Sequence, residues 1–138
     1  MHRLYLLRHA KSAWDDPALD DHDRPLTPRG ERAAVTMGQH MQQQGLRPDL
    51  VLCSSARRAR DTWMLIESRL SGTPTVLVEP GLYLAGVLAL LERLKSLDEG
   101  VGAALLIVHI VAELVIEARK AFGGRPERAA ATAHHPEM

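Results

Sequence analysis

The chain has 138 residues, long enough for one hydrophobic core and too short for two. Lys plus Arg and Asp plus Glu both number 17, so no global field favours nucleic acid or a membrane surface, and anion binding must come from local placement. The lone cysteine, Cys53, excludes an internal disulfide framework, no apolar run is long enough to span a bilayer, and Met1 to Leu7 is too short for a signal peptide, so a cytoplasmic monomer is expected.

Arg3 to Leu7 reads as a short buried strand, followed by a polar loop, Lys11 to Leu26, rich in Asp and Pro. A loop of that length is usually functional or mobile. Thr27-Pro28 supplies an N-cap and a first-turn proline, and Ala34, Met37 and Met41 give helical spacing, which predicts a helix from Pro28 to Gln44 closed by Gly45. Asp49 to Cys53 is a second strand, with Cys53 read as a small buried apolar residue. Ser54-Ser55 is expected to cap a helix with Ala59, Trp63, Ile66 and Leu70 on one face. Thr75 to Val78 forms a third strand, Gly86 to Leu97 a third helix, Ala103 to Val108 a fourth strand, and a last helix runs to about Phe122. The alternation predicts an α/β fold, a three-layer α/β/α sandwich around a mostly parallel sheet. Residues 1–122 then form the domain. Residues 123–138, with two prolines and an alanine run, form a frayed or disordered tail.

Parallel α/β sheets gather reactive groups at the carboxyl ends of their strands. The first strand ends at Arg8-His9, a guanidinium whose planar fork matches phosphate oxygens beside an imidazole with an ordinary pKa near neutrality. Arg57, Arg58 and Arg60 follow the second strand in the first turns of a helix, whose N-terminus also favours an anion. His109 lies just beyond the fourth strand. Two histidines and at least two arginines, assembled by topology, predict a phosphate pocket.

Four segments, in order, carry a resemblance. Leu6-Leu7-Arg8-His9-Ala10-Lys11-Ser12-Ala13-Trp14 opens the series, and Asp23-Arg24-Pro25-Leu26-Thr27-Pro28-Arg29-Gly30 follows. Ser54-Ser55-Ala56-Arg57-Arg58-Ala59-Arg60-Asp61-Thr62 and Leu82-Tyr83 complete it. Together they resemble the histidine phosphatase superfamily, the phosphoglycerate mutase-like group, and its SixA-like phosphohistidine phosphatase branch. The resemblance covers about residues 1–120. It implies that His9 attacks phosphorus and that Arg8 holds the phosphoryl oxygens. It also implies that Arg58, four residues before Thr62, is the second arginine, and that His109 is the second histidine, stabilising charge on the equatorial oxygens. Lys11 and Ser12 are candidate substrate-binding residues on the following loop. Two guanidiniums and an imidazolium imply chemistry without cofactor or metal. The implied substrate is a phosphohistidine protein, or alternatively a small phosphate ester.

Other residues invite plainer readings. Arg57 is expected to pair with Asp61 one helical turn on, and Arg24 to anchor the loop through Asp20 to Asp23. Glu79 is a candidate proton donor to the leaving group, and His134 and His135 are assigned no role. The chain departs from the family pattern at Val108, where a glycine is usual and a β-branched side chain is expected to crowd the phosphate. It departs again at Ile110-Val111, in place of Asn-Pro. No run after Phe122 could form the further strand that the resemblance implies, so the C-terminal strand is expected to be missing, leaving an exposed edge and reduced stability. A degenerate phosphate-binding or interaction protein is the reading these departures favour.

Overall fold

The computed structural model describes residues 1–123; His134, His135 and nearly all of the expected tail lie outside the described residues. Strands β1 (Arg3–Arg8), β2 (Leu50–Ser54), β3 (Thr75–Glu79) and β4 (Ala103–Val108) alternate with helices α1 (Pro28–Gln43), α2 (Arg57–Glu67), α3 (Val87–Lys95) and α4 (Ala112–Phe122). All three strand pairings are parallel, in the order β1-β4-β2-β3. The interior strands β2 and β4 are buried at every position, as continuous apolar runs covered on both faces should be. The edge strand β3 is mostly half-buried or exposed.

Alternation along the strands splits the core in two. Tyr5, Leu7, Val51, Cys53, Leu105 and Ile107 face Met37, Met41, Trp63 and Ile66 of α1 and α2. Leu6, Leu50, Leu52, Leu106 and Val108 face Leu90, Leu94 and Leu114 of α3 and α4. The result is the expected three-layer sandwich. Cys53 is fully buried, and burial pushes its thiol up to about 12, which suits an inert packing residue. Among the described residues no helix is long and apolar enough to cross a membrane.

Thr27 caps α1 through its Oγ1, which accepts from the Gly30 amide at 2.9 Å, with Pro28 in the first turn. Gly30 serves close packing: a Cβ there would lie 2.3 Å from the Lys11 carbonyl oxygen, so α1 can press against the segment after β1 only with hydrogen at that position. The start of α2 corrects the sequence reading. Its N-cap is Ala56, while Ser54, two positions earlier, accepts from the Ala56 amide through Oγ and Ser55 Oγ meets His22. Helix α2 also stops at Glu67, short of Leu70, and α3 is shorter at both ends than its spacing suggests.

Strand order decides what meets at the carboxyl edge. Because β4 lies between β1 and β2, the ends of β1, β4 and β2 are adjacent, with Arg8 beside Val108 and Cys53 beside Ile107. The residues that follow, His9, His109 and the start of α2, are therefore brought to one place.

Candidate active site

His9 is buried, at 6% exposure. Its Nδ1 lies 2.8 Å from the Ala10 carbonyl oxygen, which can only accept, so Nδ1 carries the proton and Nε2 keeps its lone pair. Two groups converge on that lone pair: His109 Nδ1 at 3.1 Å and Arg58 Nε at 3.3 Å. The two imidazoles stack at 5.3 Å between centroids. Burial, opposed by the Ala10 hydrogen bond and helped by the charges of Arg58, His109 and Arg8, lowers the His9 pKa to about 4. A neutral, correctly tautomerised nitrogen base is thus present at neutral pH without a separate deprotonation.

His109 is exposed, and its pKa is also lowered, by desolvation first, then by Arg8 and Arg58 and more weakly by Arg24, against an opposing pull from Asp21. Arg8 is exposed at the end of β1, with its charge felt by both histidines. Of the three arginines after β2, only Arg58 turns inward. Arg57 pairs with Asp61 at 3.4 Å and Arg60 donates to the Ser55 carbonyl, whereas Arg58 is 3% exposed. Val108 points into the core under α3 and α4, so the expected crowding of the site does not arise.

Ser12 and Lys11 both make contacts within the loop. Ser12 Oγ accepts from Arg24 Nη2, and the Lys11 carbonyl accepts from the Thr27 amide at 2.9 Å while its side chain is at the surface. Arg24 is buried, lies over the Trp14 ring and has Nε 3.6 Å from Asp21, in keeping with the anchoring expected of it. Glu79 is not available as a proton donor, because both of its oxygens accept from Arg93, at 2.9 and 2.8 Å, which holds its carboxyl below the usual range.

Three residues went unassigned at the level of sequence. Thr62, used there only as a spacing marker, is fully buried; its Oγ1 accepts from the Ala10 amide at 3.0 Å and donates to the Arg58 carbonyl at 2.7 Å. It ties the backbone that fixes the His9 tautomer to the turn that carries Arg58. Asp21 and Tyr83 complete the rim: Arg58 donates to the Asp21 carbonyl oxygen at 2.8 Å and to its carboxylate at 3.1 Å, and Tyr83 donates to the same carboxylate at 2.6 Å. Asp21 lies in a segment without periodic patterning, where the sequence offers Arg24 as the cation partner of Asp20 to Asp23 and nothing points to Arg58.

Thr62→Val keeps the shape and removes the hydroxyl, leaving the Ala10 amide buried and unpaired. Chemical denaturation is expected to show a loss of about 1–3 kcal/mol. A stability change within error would mean that the Ala10 amide finds another partner.

The titration of His9 gives a second prediction. Its pKa is 6.5 ordinarily and about 4 in the fold, so as pH falls the unfolded chain takes up the proton first. The contribution is intact above pH ~6.5, declines between ~6.5 and ~4 and does not fall further below that, with a total of order 3 kcal/mol at about 1.4 kcal/mol per pKa unit. Denaturant midpoints measured at pH 7 and pH 4.5 are expected to differ more for the natural chain than for His9→Gln. Equal differences would show that His9 titrates normally.

A sequence profile of the histidine phosphatase superfamily (branch 1) matches residues 4–83. The structure of a proposed phosphohistidine phosphatase SixA from Agrobacterium tumefaciens superposes with a TM-score of 0.78 at 30% identity, covering 88% of this chain and 77% of that one. The structure of the protein histidine phosphatase SixA complexed with tungstate superposes with a TM-score of 0.74, also at 30% identity, covering 83% of this chain and 74% of that one. An uncharacterized protein of Arabidopsis thaliana is 46% identical over 70 residues, which is 51% of this chain and 32% of that protein, so the chain spans about a third of this relative's length. With the Arg8-His9 pair, Arg58 and His109 gathered at one sheet edge and the profile spanning more than half its length, the chain belongs to the histidine phosphatase superfamily.

Proposed function

We propose that this chain is a phosphatase that hydrolyses phosphohistidine in a partner protein through a phosphoryl-His9 intermediate. The observation that carries the reading is the convergence of the His109 and Arg58 donors, at 3.1 and 3.3 Å, on the one unprotonated nitrogen of a buried histidine. When Nε2 turns its lone pair to phosphorus, both donors are released within reach of the phosphoryl oxygens, so they are aimed before charge develops. Arg8 adds a second guanidinium from the open side.

In the first step Nε2 of His9 attacks phosphorus in line as the bond to the leaving nitrogen breaks. The displaced imidazole is protonated on its own ring, so the commitment of Glu79 to Arg93 does not obstruct this substrate as it would an alkoxide. In the second step water attacks the phosphoryl group, releasing inorganic phosphate and restoring neutral His9. The charge on the equatorial oxygens is met by Arg8, Arg58 and His109 without recourse to a metal. The SixA structures, described by phosphohistidine and protein histidine phosphatase activity, support the same substrate class.

The test compares a phosphohistidine peptide with a panel of sugar, nucleotide and aryl phosphates. Turnover at least about tenfold more efficient in kcat/KM on the peptide is expected. Preference for one of the small esters would replace the substrate assignment, and phosphate binding without any turnover would favour a degenerate phosphate-binding protein.

A further inference from the structure

Asp21 stands in a 3-10 turn, Asp21–Asp23, inside the loop between β1 and α1. The loop is folded back on itself, with the Ala13 amide donating to the Pro25 carbonyl at 2.8 Å, and is fastened to the start of α2 by His22 and Ser55 at 2.9 Å. This places Asp21 against the outer edge of the Arg58 guanidinium. Arg58 has five N–H groups. One faces His9, one goes to the Asp21 carbonyl and one to its carboxylate, with Tyr83 close to the same guanidinium. Tyr83, from the turn after β3, donates to the same carboxylate oxygen.

We propose that Asp21 is a positioning residue whose carbonyl and carboxylate aim Arg58 at the His9 nitrogen and whose negative charge offsets the arginines gathered around the two histidines. The inference rests on the phosphatase reading above and extends it to a residue that does not touch the substrate. Asp21 itself is no proton donor, because the Tyr83 hydrogen bond and then the Arg58 guanidinium hold its carboxyl below the usual range against the opposing effect of burial. Its charge acts elsewhere. His109 stacks against the neutral ring of His9, and after desolvation its pKa is lowered by Arg8 from β1, Arg58 from α2 and Arg24 from the loop, with Asp21 pulling the other way. Removing that charge would take away a pull that opposes these three arginines.

Asp21→Asn keeps the size and the backbone carbonyl and removes only the charge. Relative to the natural chain, kcat on the phosphohistidine peptide is expected to fall about tenfold with KM unchanged or lower, since an anion has been taken from beside the phosphate site. The descending alkaline limb of kcat is expected to move to lower pH, and the His109 ring resonances of the substrate-free protein to titrate at lower pH. Tyr83→Phe, which retains the carboxylate, is expected to change kcat by less than Asp21→Asn. A raised KM with unchanged kcat, or an increase in kcat, would overturn the proposal. So would a His109 titration identical in the two proteins. The titration needs no turnover, so a natural chain inert on every phosphate would refute the phosphatase reading while the Asp21 result still stood or fell by the His109 resonances.

Discussion

Replacing His9 by alanine is expected to reduce kcat on a phosphohistidine peptide by roughly four orders of magnitude or more, the scale reached when a covalent nucleophile is removed. The size follows from the position of the ring. His9 is buried with its proton held by the Ala10 carbonyl, so only Nε2 faces the two donors. His109 is a poor substitute, because its ring stands at the exposed side of the pair and not in the buried position that His9 vacates. Phosphate affinity should survive His9→Ala better than turnover, since Arg8 and Arg58 remain. Substantial residual turnover in His9→Ala, measured by release of inorganic phosphate, would mean that water attacks the substrate directly.

The second large effect is expected at Arg58. Alanine there removes the Nε donor to His9 and the partner of Asp21, and kcat/KM is expected to fall by about 10²–10³-fold. Lysine is the sharper probe. A point charge on a flexible stem cannot hold His9, Asp21 and a phosphoryl oxygen together as a planar fork does, so Arg58→Lys should recover less than about a tenth of the lost activity. Recovery to the natural level would reduce the role of Arg58 to bulk charge. Arg57→Ala is the matched control, since Arg57 is occupied with Asp61 and its loss should change kcat/KM by less than about twofold.

Much of this arrangement was legible before any coordinates. The continuous apolar runs at Leu50 to Cys53 and Ala103 to Val108 identify buried parallel strands, and strand ends in such sheets converge, which brought His9, His109 and the arginines after β2 under one hypothesis. Choosing Arg58 from three neighbours needed the family spacing; the structure separates them physically, since Arg57 and Arg60 are tied to Asp61 and the Ser55 carbonyl. Val108 departs from the expectation through its direction. Period-two alternation places it on the same face as Leu106, toward α3 and α4, so a larger side chain there fills core and not the site.

What escaped the sequence lies in irregular backbone. The loop from Lys11 to Leu26 has no period from which to place Asp21 against Arg58, and the contact depends on a fold-back closed by Ala13 and Pro25. Glu79 failed for a related reason: its partner Arg93 is 14 residues away on α3, and nothing local shows that both carboxylate oxygens are taken. Ser54-Ser55 had the chemistry of a cap but the wrong phase, because β2 runs on through Ser54 before the chain turns.

If phosphate passes through His9, the covalent adduct itself can be measured. Mixing the chain with a phosphohistidine peptide, quenching in alkali and mapping the protein by mass spectrometry is expected to place one phosphoryl group on His9, stable to base and lost in acid. The adduct should vanish in His9→Ala and, on the two-step scheme, disappear as substrate is exhausted. A phosphoryl group on another residue, or full turnover with no adduct at any time after mixing, would contradict the account.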